Sequence, residues 1–144
     1  MEPILLTKEQ MEPYFRNLPD FFRFDSASLV LYEGVEAKFV VRGGLMGGHF
    51  PGIYSIQLSV CTGLLLRAFT PEWQDKFLFI LGVNRARFYK ELLPGDELTV
   101  TTKVVKIRED KPVVTLATTL YRGEELAVDM EIAIYLSEPP VRHS

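Results

Sequence analysis

Two side chains in this 144-residue chain have chemistry that could drive a reaction, His49 and Cys61. The chain holds only two histidines, His49 and His143, and a single cysteine. An imidazole exchanges protons near neutrality, and His49 sits in Gly48-His49-Phe50-Pro51-Gly52, three residues before an apolar run that reads as a helix. The first N–H groups of such a helix, Gly52 above all, have no intrahelical partner, and the positive end of the helix dipole stands behind them. They form donors for an oxygen on which negative charge develops, and glycine lets a substrate approach that backbone closely. The alternative for His49 is a turn residue bonded to the backbone beside its glycines. Cys61 is a candidate nucleophile near a histidine, but it lies two turns into an apolar helix, where thiols usually behave as small inert hydrophobes.

Composition narrows the rest. Sixteen Lys and Arg against nineteen Asp and Glu give a formal charge of -3, without the basic excess that a phosphate-tracking surface needs, so no nucleic acid partner is expected. One cysteine excludes an internal disulfide, and two histidines leave little for zinc; neither metal nor cofactor is expected. The first ten residues carry acids, a proline and only the short Ile4-Leu5-Leu6 run, unlike an export signal. No apolar stretch is expected to reach the roughly 20 residues of a membrane span. The expected compartment is the cytoplasm, and the expected organisation is a single domain over residues 1–144.

The elements that must position His49 follow from periodicity. Thr7 to Asn17 reads as a short capped helix, a flank or lid, broken by Leu18-Pro19-Asp20. Leu29 to Arg42 reads as a hairpin turning at Glu33-Gly34, and the glycines at 43, 44, 47 and 48 mark a loop. From Gly52 to Phe69, Ile53, Ile56, Val60, Leu64 and Ala68 recur at helical steps while Leu58, Leu65 and Leu66 widen the stripe. A helix so apolar on nearly every face belongs inside a sheet or against another subunit. The segments 77–81, 85–90, 98–108, 113–121 and 126–136 are rich in strand formers and separated by turn residues, and the tail from Glu138 is expected to fray. The pattern is α+β: an antiparallel sheet wrapped round one long central helix.

Gly48-His49-Phe50-Pro51-Gly52 resembles the G-H-F-P-G signature of the bacterial FabA/FabZ-type 3-hydroxyacyl-carrier-protein dehydratases, with Val41 eight residues before the histidine as that family often has it. A second block, Gly82-Val83-Asn84-Arg85-Ala86-Arg87-Phe88 and then Pro94-Gly95-Asp96-Glu97-Leu98, is similar to the family's G-I-D-K-A-R-F … P-G-D-x-L segment at the same internal spacing. A weaker likeness covers Gly123 to Ile134, and the whole resemblance runs over residues 18–136. It implies a hotdog fold. The chain also departs from the family, having one Pro-Gly where the family has two. With Pro51-Gly52 set on the helix-opening pair, Thr62-Gly63 falls in register, the preceding loop is six residues shorter, and Gln57 takes the place of the family's glutamate.

What the resemblance implies is dehydration of a 3-hydroxyacyl thioester held on acyl carrier protein or coenzyme A. His49 would take the C2 proton, Gly52 would face the thioester carbonyl, Phe50 and Tyr54 would line the acyl site, and Gln57 would occupy the acid's seat. A carboxamide has no proton to give at neutral pH, so another carboxyl such as Asp25, Glu33 or Glu36 would have to act. Otherwise the chain would be a hotdog thioesterase, or a non-catalytic acyl-binding subunit that has lost its acid. Gln57 is equally readable as a buried amide satisfied by a neighbour. Arg85, Arg87 and Lys90 would dock an acidic carrier protein or simply form a solvated strand face. A homodimer or higher even oligomer is expected, with edge strands paired and each site drawing on both subunits.

Overall fold

The computed structural model describes residues 2–19, 22–42, 50 and 52–138. Its elements are β1 (Ile4–Thr7), α1 (Lys8–Phe15), β2 (Ser26–Val30), β3 (Gly34–Val40), α2 (Gly52–Phe69), a 3₁₀ turn at Pro71–Trp73, β4 (Phe77–Phe88), β5 (Glu97–Ile107), β6 (Val113–Arg122) and β7 (Glu125–Ser137). The seven strands form one antiparallel sheet in the order β1-β2-β3-β5-β6-β7-β4. The sheet curls round α2, as the apolar helix requires.

Alternation sets which face does the wrapping. Val35, Ala37 and Phe39 on β3, Leu98 and Val100 on β5, Leu116 and Leu120 on β6, and Met130, Ile132 and Ile134 on β7 are all buried, each series stepping by two or four as the pleat demands. They pack on Leu58, Cys61, Leu65 and Leu66 of α2. By length and composition α2 is apolar enough to cross a membrane, contrary to the reading above that no stretch comes near. Here that apolar surface lies against the sheet. Gly63 permits the close approach: a Cβ there would lie 3.2 Å from the Leu116 side chain.

The core between α2 and the sheet holds a closed circuit of hydroxyls. Thr62 Oγ1 donates to the Ser59 carbonyl at 2.6 Å, so its only proton is committed. Thr102 must then donate to Thr62 (2.7 Å), Thr118 to Thr102 (2.7 Å), and Ser59 to Thr118 (2.6 Å). All four residues are buried and every hydroxyl proton has one destination. Such a network fixes the rotation and height of a helix that apolar packing alone would hold loosely.

Three sequence expectations need correction. Residues 1–17, expected as a flank with a short helix, include the strand β1, paired with β2 from Ile4↔Leu29 to Thr7↔Ser26; the three-residue apolar run Ile4-Leu5-Leu6 carries too little periodicity to show this. The helix that follows is capped by Thr7 and Gln10 in a reciprocal capping box, and buries Met11 and Phe15, one turn apart, so it is part of the core rather than a lid. The segments 77–81 and 85–90 are one strand, β4, which keeps its pairing with β7 through irregularities between Ile80 and Gly82 and between Val83 and Arg85. The expected hairpin is present but sits earlier, as β2 and β3; Tyr32, in its turn, adopts a φ of 65°.

Candidate active site

The chain enters α2 through Phe50, whose N–H donates to the Leu92 carbonyl at 3.1 Å in an isolated bridge. That single bond ties the segment before the helix to the segment after β4. A cavity of about 320 Å³ lies at this junction, lined by Phe50, Gly52 and Ser55 and by Phe88, Glu91 and Leu92. Gly52 faces the Phe88 ring so closely that a Cβ would come within 3.1 Å of it. A helix start stripped of side chain therefore borders the cavity, and its amide donors border it with them.

The Pro94-Gly95-Asp96 turn follows the cavity-lining Leu92 in the chain. Gly95 adopts a φ of 92°, open to glycine at no steric cost, and its N–H reaches the Val41 carbonyl at 2.7 Å while Val41 N–H reaches the Asp96 carbonyl at 2.9 Å. The Asp96 carboxylate accepts from Leu93 N–H at 2.9 Å and from Arg122 at 3.2 Å. Val41 and the Pro-Gly-Asp turn, separate parts of the sequence motif, are thus one hydrogen-bonded corner.

The sequence-derived candidates divide. Phe50 and Gly52 share the cavity. Tyr54 stacks edge-on against Phe22 and Phe50, with centroids 5.1 and 5.4 Å away, in an aromatic cluster that continues through Phe50 to Phe39; it is not among the cavity-lining residues. Gln57 is half-buried and hydrogen-bonds Cys61 one turn on. Burial pushes the Cys61 thiol up to about 12, against the opposing pull of that hydrogen bond, which leaves the thiol protonated and unreactive near neutrality. His49 and Pro51 lie outside the described residues.

Of the alternative carboxyls, Asp25 pairs with Arg42 at 3.0 Å, Glu36 lies 3.7 Å from Lys38, and Glu33 sits at the β2–β3 turn; none lines the cavity. The carboxyl that does is Glu91, unnamed among the sequence candidates although it stands three residues beyond Phe88, between the two halves of the second motif block. Ser55 was also missed, although a step of three from Gly52 along a helix was signal enough to place it on the same face. Arg85 pairs with Asp129 at 3.1 Å and Lys90 lies 3.8 Å from Glu125, so both have acidic neighbours within their own sheet.

The seven-stranded antiparallel sheet around one long helix is the hotdog fold. An uncharacterized protein from Pyrococcus horikoshii superposes with a TM-score of 0.69 at 15% identity, covering 96% of this chain and 97% of its own. A hypothetical thioesterase with coenzyme A from Streptococcus pneumoniae gives a TM-score of 0.69 at 12% identity, covering 91% and 99%. At these identities the likeness is one of fold. In sequence the chain is similar to the 3-hydroxyacyl-[acyl-carrier-protein] dehydratase FabZ of Pelotomaculum thermopropionicum, 32% identical over 91 residues, which are 59% of this chain and 64% of that enzyme. The chain therefore spans just under two thirds of that relative's length. No family model matches it.

Proposed function

We propose that this chain is a dehydratase-like enzyme acting on 3-hydroxyacyl thioesters, carried on acyl carrier protein or coenzyme A, at the cavity where α2 begins. One observation carries the reading: the two sequence blocks that resemble the FabA/FabZ-type dehydratases, remote in the chain, meet at one cavity, lined by Phe50 and Gly52 of the first and Phe88 of the second. In this reading the thioester oxygen lies against the free amides at Gly52, which hold the enolate-like charge. His49, bonded in sequence to the cavity-lining Phe50, takes the C2 proton. The departing C3 hydroxyl receives its proton from Glu91, a carboxyl that lines the same cavity, and leaves as water as the C2–C3 double bond forms. Gln57, which does not line the cavity, is held by its bond to Cys61.

The amide at position 57 favours a second reading, hydrolysis, in which Gln57 orients a water at the same polarised carbonyl. Supplying 3-hydroxyacyl and saturated acyl thioesters side by side separates the two. An enoyl thioester from the first substrate supports dehydration; free thiol from both transfers the site to thioesterase chemistry. Binding without either product leaves an acyl-binding subunit.

The same reading includes a homodimer formed through β4. This edge strand runs for twelve residues and leaves Phe79, Ile80, Leu81 and Phe88 between 45% and 57% exposed, a long apolar edge of the kind that proteins cover. Phe88 belongs both to that edge and to the cavity wall, so a partner seated on β4 would border the site.

A further inference from the structure

We propose that the Ser55 hydroxyl recognises the 3-hydroxyl of the acyl chain and so selects 3-hydroxyacyl groups over unsubstituted ones; this deepens the reading of the cavity as an acyl-thioester site and rests on it. Ser55 has no solvent-exposed surface, and its Oγ has no hydrogen-bond partner among the described residues. The contrast lies within the same helix. Ser59 and Thr62, the next two buried hydroxyls of α2, are both consumed by the circuit with Thr102 and Thr118. Ser55 alone of the three is among the residues that line the cavity.

A buried hydroxyl left unpaired is a cost that alanine would remove, so its presence on a cavity wall points to a partner that arrives with a ligand. Ser55 stands about 4.5 Å along the helix axis from Gly52. That spacing is of the order separating the carbonyl oxygen and the 3-oxygen of a 3-hydroxyacyl group, so one ligand can meet both the helix-start amides and the serine. The hydroxyl both donates and accepts, and pairs with a substrate hydroxyl in either sense. A ligand that carries the matching hydroxyl gains a hydrogen bond from this already unpaired group, and the analogue that lacks it gains none, so the site prefers the hydroxylated chain.

The test uses 3-hydroxyoctanoyl and octanoyl pantetheine amides, in which nitrogen replaces the thioester sulfur and suppresses turnover, titrated calorimetrically into the full chain and into Ser55→Ala. Wild type is expected to bind the hydroxylated amide at least about tenfold more tightly, and S55A to lose that preference while holding the octanoyl amide with unchanged affinity. The melting temperature of S55A should equal or exceed that of wild type, since the substitution removes an unpaired buried group. A preference that survives in S55A, equal binding of the two amides by wild type, or a clear drop in melting temperature would each overturn the inference while leaving an acyl site in place. Failure of wild type to bind either amide would instead remove the acyl-site reading, and this inference with it.

Discussion

Thr102 and Thr118 stand directly opposite each other on β5 and β6, their Oγ1 atoms 2.7 Å apart beneath α2. Because Thr62 spends its proton on a backbone carbonyl, the direction of every bond in the circuit is settled, and each threonine is both donor and acceptor. Thr118→Val keeps the shape but leaves the Ser59 hydroxyl without its acceptor and Thr102 without its donor. The expected loss is about 1–3 kcal/mol in urea denaturation. The double variant T102V/T118V should lose less than the sum of the two single variants, since the groups act as one network.

Cys61 gives a pH signature. Its folded-state value, near 12, lies above the ordinary thiol value of 9.0. The unfolded chain therefore releases the thiol proton first, and the folded state holds an advantage that is complete below pH 9 and is lost as pH rises from 9 towards 12. The contribution to the slope is at most about 1.4 kcal/mol per pH unit. Denaturation curves taken through that window should fall more steeply for wild type than for Cys61→Ala. Parallel curves would show the thiol to be less deeply held than its burial indicates.

For the proposed reaction, His49→Ala should lower enoyl formation by about 10²-fold or more, the usual loss when a positioned proton-transfer group is removed. Glu91→Gln should produce a loss of similar size, with the substrate KM little changed, because the amide keeps the shape of the wall. An E91Q variant that turned over normally would take the acid's role away from this residue.

Gln57→Glu tests the register of the resemblance. If position 57 is the acid's seat, the substitution should raise enoyl formation at least about tenfold. It would also set a carboxyl beside Cys61, so a drop in melting temperature is expected to accompany the gain. An unchanged rate with a lower melting temperature would make Gln57 a structural partner of the thiol and nothing more.

Leu81→Lys places a charge at the centre of the bare β4 edge. The expected outcome is a shift from dimer to monomer in sedimentation, with the far-ultraviolet circular dichroism unchanged. An unaltered sedimentation profile for a dimeric wild type would put the contact elsewhere.

The wrapped sheet and its central helix were legible because they rest on strong periodic signals: the three- and four-residue steps from Ile53 to Ala68, and the alternation of strands such as β6 and β7. β1 was not, because Ile4-Leu5-Leu6 is too short to show a period and becomes a strand only by pairing with β2. β4 was divided in two because its bulges interrupt the alternation while the ladder to β7 continues. In the site, Phe50 and Gly52 could be named from a contiguous motif. Ser55 and Glu91 could not be weighed in that way, since whether a hydroxyl is left unpartnered, and which of nineteen acids faces a given cavity, are set by tertiary packing.

The two ends of the sheet are unequal, four residues at β1 against twelve at β4. A sheet extendable from both margins can recruit copies without limit, as fibres do. One with a single adhesive margin runs out of valence once that margin is occupied, and β4 joined to β4 leaves only the short margins facing outward. The same lopsidedness that invites association through β4 would therefore also bring it to a stop at two.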